Sequence, residues 1–372
     1  MKRLLINASN LHVGGGVQVA TSFLNELGYL QGSMENVSFF VSKEVDNSLR
    51  ILSSQMHTLS NYEVIDVYGS GFVSNNISQQ LDFFNIVFTI FGPLYRWRTS
   101  FKSVVGFAQP WIIYPNNECY KMLTLGRQLK MRLKYFIQGI FFKRADILVV
   151  ELEHVKQRLI SLLGIPAERI HVVHNCVSSI YLDKSRWQTV DLPKLKGFLR
   201  LGYLGRNYLH KNTVIFPEIV ADLERTYGIR AHFYVTFTEQ EWAECTPEFR
   251  AVCFNVGPLS VAQCPGFYRE IDAVVFPSLL ECFSATPLEA MVMEKPLFAS
   301  DRPFNRDICG QHAFYFDPLL PTSASAAIAR IFGDIGPNLE ALRAGREYAI
   351  NFSSPKERAE KYLSLLMSNI AS

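Results

Sequence analysis

Leu4-Leu5-Ile6-Asn7, then Gly14-Gly15-Gly16, then Val17, Ala20, Leu24 and Leu27, then Val37 to Val41: the chain opens as strand, glycine-rich turn, helix and strand. A short unbroken apolar run suits a strand buried on both faces, and apolar residues recurring every three or four positions suit a helix laid over it. This is the start of an α/β unit built on a parallel sheet. Further runs at Val64 to Val67, Ile86 to Ile90, Val104 to Ala108, Ile147 to Val150 and His171 to Val173 continue it. Most are separated by enough chain for a crossover helix. The segment Trp187 to Phe198, containing Pro193, breaks the pattern. It restarts at Leu199 to Leu204 and runs on through Ala231 to Val235, Val252 to Val256, Ala273 to Phe276, Pro296 to Ala299 and Ala313 to Phe316. The expectation is two doubly wound, Rossmann-like domains facing a central cleft, with residues 1–185 in the first, 186–355 in the second and a closing helix at 356–372.

Composition narrows the function. At 372 residues, 48% hydrophobic and 19% charged, the chain must bury a large core and cannot be disordered. Its 37 basic and 34 acidic side chains leave no global field for nucleic acid. The balance is uneven, however: residues 1–185 hold 18 basic and 13 acidic side chains, and the rest hold 19 and 21. No run reaches the roughly 18 apolar residues of a membrane span. The apolar start after Lys2-Arg3 is interrupted by Asn7, Ser9, Asn10 and His12, which does not suit a signal peptide. Seven cysteines without a Cys-x-x-Cys point to reduced thiols in a cytoplasm.

Four constellations could carry chemistry. Glu281 follows the strand Ala273 to Phe276 and the turn Pro277-Ser278, while Glu289 falls in the first turn of a helix. Thr286-Pro287-Leu288-Glu289 also reads as a capping box, which would account for Glu289 but not for Glu281. Gly205-Arg206 closes the strand before it in the second domain, and Lys211 follows; both cations also read as solvated surface. Pro217 requires the next helix to start late or kink. His12-Val13-Gly14-Gly15-Gly16 can close backbone amides on an anion at a helix start, or simply make a tight turn. From Lys121 to Arg144 there are seven basic residues and no acidic one. On a helical projection Met122, Leu125, Leu129, Leu133, Phe136 and Ile140 form one stripe, expected to be the buried face. Arg127, Lys130 and Lys134 flank it, with Met131, Tyr135 and Phe142 pointing outward. Such a helix suits an anionic membrane surface or an ordinary solvated face.

Phe276-Pro277-Ser278, Glu281 and Pro287-Leu288-Glu289-Ala290-Met291 together resemble the Glu-x7-Glu region of the GT-B glycosyltransferases, particularly family 4. The resemblance implies that Glu289 binds the ribose of a nucleotide-sugar donor, that Glu281 contacts the sugar, and that the amides of Phe283 and Ser284 lie near sugar and diphosphate. The family usually carries Gly at the positions of Cys282 and Ser284. Gly205-Arg206 with Lys211 resembles the pair that grips the donor diphosphate, where fixed cations favour the charge that gathers as the glycosidic bond breaks. Gly15 and Gly16 match the loop facing the donor phosphate. Gln109 stands where many members have a His, and Gly257 matches the loop that receives the base. Arg206, Lys211 and Glu281 are thus the expected catalytic residues. No Asp-x-Asp is present, so neither metal nor other cofactor is expected. The implied activity is retaining transfer of a hexose-type sugar from a nucleotide sugar to a glycan or polyprenyl-linked acceptor, in bacterial surface polysaccharide or O-antigen synthesis. The expected place is cytoplasmic, peripheral at the inner face of the membrane, and the final helix is expected to return to the first domain. The alternatives are a degenerate GT-B scaffold that binds without turnover, and a GT-B epimerase or phosphorylase.

Overall fold

Among the described residues of the computed structural model, 3–29, 36–52, 54–69 and 75–371, thirteen strands form two sheets and every pairing is parallel. The chain divides into two compact units. One comprises Met1–Pro115, Leu123–Cys176 and Ser353–Ser372; the other comprises Asn116–Met122 and Val177–Phe352.

The first unit begins β1 (Leu4–Ala8), α1 (Gly15–Tyr29), β2 (Val37–Val41), α2 (Lys43–Ile51), β3 (Tyr62–Val64), α3 (Asn75–Leu81) and β4 (Ile86–Thr89). It continues β5 (Lys102–Gly106), α4 (Pro110–Ile113), α5 (Leu125–Arg144), β6 (Ile147–Val150), α6 (Glu153–Leu163) and β7 (Ile170–Val172). Its sheet order is β3-β2-β1-β4-β5-β6-β7, which reverses direction between β1 and β4. β1 and β4 are buried along their whole length, as expected for central parallel strands covered on both faces. Leu4, Ile6, Phe39, Phe88 and Val104 join Phe23 and Leu24 of α1 in one core. β3 ends sooner than its apolar run, because after the Ile65 amide bonds Val41 the backbone leaves the sheet and the Val67 amide turns to the Ser9 carbonyl.

The second unit runs β8 (Leu199–Tyr203), α7 (Phe216–Tyr227), β9 (Ala231–Val235), α8 (Glu239–Ala243), α9 (Pro247–Val252), β10 (Cys253–Asn255), α10 (Cys264–Glu270) and β11 (Ala273–Phe276). It then continues α11 (Thr286–Val292), β12 (Leu297–Ser300), α12 (Pro303–Cys309), β13 (Phe314–Phe316), α13 (Pro321–Ala329) and α14 (Leu339–Phe352). Its order, β10-β9-β8-β11-β12-β13, reverses between β8 and β11. α7 starts late, with Pro217 in its first turn where a missing amide hydrogen costs nothing, and ends at Gly228 in the left-handed region. The rings of Phe216 and Phe233 stack 3.8 Å apart at the centre of the core.

α15 (Pro355–Ala371) closes the chain in the first unit. Its Tyr362 ring sits 5.0 Å from Phe23 and 5.1 Å from Phe88. Its buried Arg358 donates to Asn175, and to Ser22 Oγ at 2.8 Å. The second unit begins at Val177, ahead of the 185/186 boundary read from the sequence. Within this stretch the Tyr181 ring packs 5.9 Å from that of Tyr268 in the same unit.

α5 reverses its expected facing. Leu125, Leu129, Leu133 and Phe136, the stripe read as buried, are exposed, while Gly139 and Phe142 are buried. Tyr135, read as outward, stacks on Trp111 of α4 at 5.7 Å and 6°. No described helix is long and apolar enough to cross a membrane. All seven cysteines are free thiols.

Candidate active site

In open parallel sheets, ligands bind beyond the carboxyl ends of the strands where the strand order reverses. In the second unit that place lies past β8 and β11. β8 ends at Tyr203, and the chain turns so tightly that a side chain at Gly205 would set its Cβ 2.9 Å from the Tyr203 hydroxyl. The Gly205 amide donates to Thr236 Oγ1 (3.0 Å), and Tyr203 Oη donates to the Arg206 carbonyl (3.1 Å). Arg206 Nε then donates to Glu241 Oε1 at 2.8 Å, and the Asn207 amide donates to the same oxygen at 3.1 Å. Glu241 is itself fixed by a capping box at the start of α8, where Thr238 N donates to Oε2 (2.9 Å). Burial alone would raise the Glu241 carboxyl, but the Thr238 amide, Arg206 and the Asn207 amide outweigh it and hold the group below its usual range. Arg206 remains about half exposed, so an anion can still reach it.

Lys211 ends a short 3-10 turn, and the next residue, Asn212, takes a left-handed conformation (φ 57°) with its Nδ2 donating to the Pro318 carbonyl at 2.8 Å. Lys211 Nζ reaches Glu281 Oε1 at 2.5 Å, and Ser278 Oγ donates to the same oxygen at 2.6 Å. The Leu279 amide donates to the His210 carbonyl (2.7 Å), and this joins the loop after β8 to the loop after β11. Burial pushes the His210 imidazole below its ordinary value, which favours its neutral form.

Glu289 lies on α11, whose seven residues are all buried. Tyr268 Oη donates to Glu289 Oε2 at 2.9 Å, and Tyr181 also hydrogen-bonds this carboxyl. Burial pushes the Glu289 carboxyl up to about 6, against the lowering effect of the two phenols. The capping box does not form. Ala285 is the cap residue, the Thr286 hydroxyl donates to the Leu204 carbonyl at 3.5 Å, and Glu289 turns to Tyr268 instead. Phe283 and Ser284 are half-buried in the loop between the two carboxylates. Among the described residues only Asn212 and Glu294 combine a side chain with positive φ, so Cys282 and Ser284 occupy the usual glycine positions without backbone strain. Gly257 follows β10 at φ 81°, its amide donating to Asn255 Oδ1 (3.3 Å).

The remaining candidates belong to the first unit. Gly14 turns at φ 69°, Gly15 opens α1, and no acidic residue stands in that first turn to compete with a bound anion. The loop is held by His12, whose ring lies 3.1 Å from Glu44 Oε2 and 2.9 Å from the Val67 carbonyl and stacks on Tyr68 at 4.0 Å. His12, Glu44 and Asp66 have ligand atoms within 4.8 Å of one another, but both ring nitrogens are engaged and Lys43 shares Asp66. Gln109 stands just before α4, half-buried, and its side chain does not cap that helix.

Residues 199–334 match the family described as glycosyl transferases group 1. The match spans β8 to β13 and contains Arg206, Lys211, Glu281 and Glu289. Among solved structures, the chain is similar to sucrose-phosphate synthase from Thermosynechococcus elongatus (TM-score 0.71, 13% identity, 100% of both chains covered). It is also similar to a glycosyltransferase from Rickettsia africae (TM-score 0.67, 15% identity, 100% and 99% covered). A third is Anabaena HepE in complex with UDP-glucose (TM-score 0.69, 13% identity, 99% and 100% covered). At these identities the likeness establishes the fold, two Rossmann-like domains of GT-B type. No curated protein sequence matches the chain significantly.

Of the polar partners of this site, Glu241, Tyr181 and Tyr268 do not stand out in the sequence, and Ser278 does so only within the Phe276-Pro277-Ser278 motif, where it carries no assigned role. Thr238-x-x-Glu241 carries a capping-box signature that could have placed Glu241 at a strand end. Nothing local marks the two tyrosines, which reach Glu289 only through the tertiary fold.

Proposed function

We propose that this protein is a retaining glycosyltransferase that moves a hexose-type sugar from a nucleoside diphosphate to a glycan acceptor carried on a polyprenyl lipid, in surface polysaccharide synthesis. The observation that carries the reading is the Lys211–Glu281 pair joining the loops past β8 and β11, with Arg206 on the first loop and Glu289 on the helix after the second. The group 1 match over this segment and the UDP-glucose held by HepE support it.

In this reading Glu289, held by Tyr268 and Tyr181, accepts from the ribose hydroxyls, and the amides of Phe283 and Ser284 approach the sugar and diphosphate. Gly257 lies beside the base. The resemblance adds Gly15, Gly16 and Gln109 as candidate donor contacts. An acceptor hydroxyl attacks the anomeric carbon on the face the leaving group departs from. A new carbon–oxygen bond forms as the bond to the phosphate oxygen breaks. The electron pair goes to that oxygen, and the hydroxyl proton passes to the leaving phosphate. Arg206 and Lys211 stabilise the charge that develops there, in place of a metal ion. Glu281 has two duties: it holds Lys211 in position before the donor arrives and meets the sugar hydroxyls afterwards. The two carboxylates are not a glycosidase acid and base, since one is assigned to ribose.

A thermal-shift screen of UDP, GDP, dTDP and their sugars tests this. One nucleotide at about 100 times its dissociation constant should stabilise the protein by roughly 2.7 kcal/mol. No response to any of them, under conditions where the protein is folded, would defeat the reading.

A further inference from the structure

The side of α5 that leaves the protein surface is apolar. Leu125, Leu129 and Phe136 are 83%, 70% and 67% exposed, and Leu133 and Ile137 beside them are exposed as well. At about 100° per residue, Leu125, Leu129, Leu133 and Phe136 fall within an arc of about 80°, along about 18 Å of helix up to Ile137. The opposite side faces the body: Tyr135 stacks on Trp111, Gln138 Nε2 donates to Tyr95 Oη (2.9 Å), and Gly139 and Phe142 are buried. Single exposed leucines need no explanation, but a continuous stripe of five large apolar side chains does.

Charge indicates what covers it. Arg127, Lys130 and Lys134 border the stripe on one side and Arg132 on the other, and α5 contains no acidic residue. At the end of the helix, next to Ile140, Lys143, Arg144 and Arg169 line an open depression of about 700 Å³ together with one acid, Asp146. The Asp146 carboxylate is occupied by the Ser103 amide (2.8 Å) and hydroxyl (2.7 Å). Arg144 lies over the ring of Trp97 at 5.2 Å, and Trp97 is itself exposed. A second copy of the chain seated on the stripe would bring two rows of cations together with no carboxylate on either helix to separate them. An anionic bilayer presents apolar chains below and phosphates above, which matches a stripe of leucines edged by cations and a surface tryptophan.

We propose that α5 is a membrane-docking helix, which lies along an anionic bilayer with Leu125, Leu129, Leu133, Phe136 and Ile137 entering the acyl boundary and the flanking cations meeting lipid phosphates. This goes beyond the transferase reading and does not depend on it, since it uses no residue of the donor site.

The test is co-sedimentation of the full chain with vesicles of phosphatidylcholine alone and of phosphatidylcholine with about a third phosphatidylglycerol, in low and high salt. The protein should pellet with the anionic vesicles at least tenfold better than with the neutral ones, and high salt should weaken binding. Reversing Arg127, Lys130 and Lys134 to Glu should lower partitioning about 100-fold. Leu129→Ser with Phe136→Ser leaves the charge unchanged and should still lower it at least tenfold. Equal pelleting with both vesicle types overturns the proposal, and so does a serine pair that binds as well as the parent. Dimers in size-exclusion chromatography that this serine pair dissolves, without vesicle binding, would assign the stripe to a second copy instead. An acidic protein that binds the stripe while vesicles do not would likewise overturn it. Both variants alter exposed residues, so an unchanged melting temperature checks folding, and nucleotide binding measured on the same samples keeps the donor site separate.

Discussion

Lys211 and Glu281 neutralise one another at 2.5 Å, with Ser278 bonded to the same carboxylate oxygen. In the proposed reaction, a diphosphate arriving at Lys211 competes with a neighbour already in place. Lys211→Ala removes both the cation for the leaving group and the partner of a buried carboxylate. It should lower turnover by about 10²–10³-fold, measured as initial rates of nucleoside diphosphate release, and lower the melting temperature as well. Arg206→Ala should cost comparable rate with little loss of stability, because Arg206 is half exposed and its partner Glu241 keeps its amide donors.

Glu289 allows a test with a defined sign. Its carboxyl is raised to about 6 by burial, so nucleotide affinity should weaken as pH falls through that value and the carboxylate proposed to accept from ribose is lost. Tyr268→Phe removes a donor that favours the charged form and should move the inflection upward, as read by titration of nucleotide binding against pH. For folding, a carboxyl raised above its unfolded value favours the native state most at low pH, and that contribution is lost as pH rises from about 4.5 through about 6. Glu289→Gln should therefore gain stability relative to the parent at pH 8 but not at pH 4, by chemical denaturation. The positions of Arg206, Lys211 and Glu289 beyond strand ends were legible because each follows an apolar strand run, while the roles proposed for them rest on the resemblance. Their partners Tyr181 and Tyr268 were not, because such contacts are set by packing between elements far apart in sequence.

At the scale of elements, the strands were the most legible part. A parallel strand buried on both faces writes itself as a short unbroken apolar run, and all of these runs became strands, with small shifts at their ends such as at Val64 to Val67. α5 shows what periodicity leaves open. Periodicity locates a stripe on a helix, but the inward side is settled by what the rest of the fold offers, here Trp111 for Tyr135 and Tyr95 for Gln138. Apolarity alone favoured the wrong side because an exposed apolar stripe and a core-facing stripe have the same pattern. α15 allows a direct check of an element's contribution. Tyr362 is buried against Phe23 and Phe88, so Tyr362→Ala should destabilise the first unit by about 3–5 kcal/mol, measured as a shift of its unfolding midpoint.

At the scale of the whole molecule, two Rossmann-like units each reverse their strand order once, and the family match falls on the unit where the cations and carboxylates converge. In the proposed reaction two protein cations, Arg206 and Lys211, carry the leaving diphosphate of a nucleotide sugar. The most direct measurement is nucleoside diphosphate release from a panel of nucleotide sugars in the presence of EDTA, comparing the parent chain with Lys211→Ala. This assignment of the two cations requires release from at least one donor that survives the chelator and falls at least 100-fold in the variant. Release that stops with EDTA, or that proceeds equally in the variant, would contradict it.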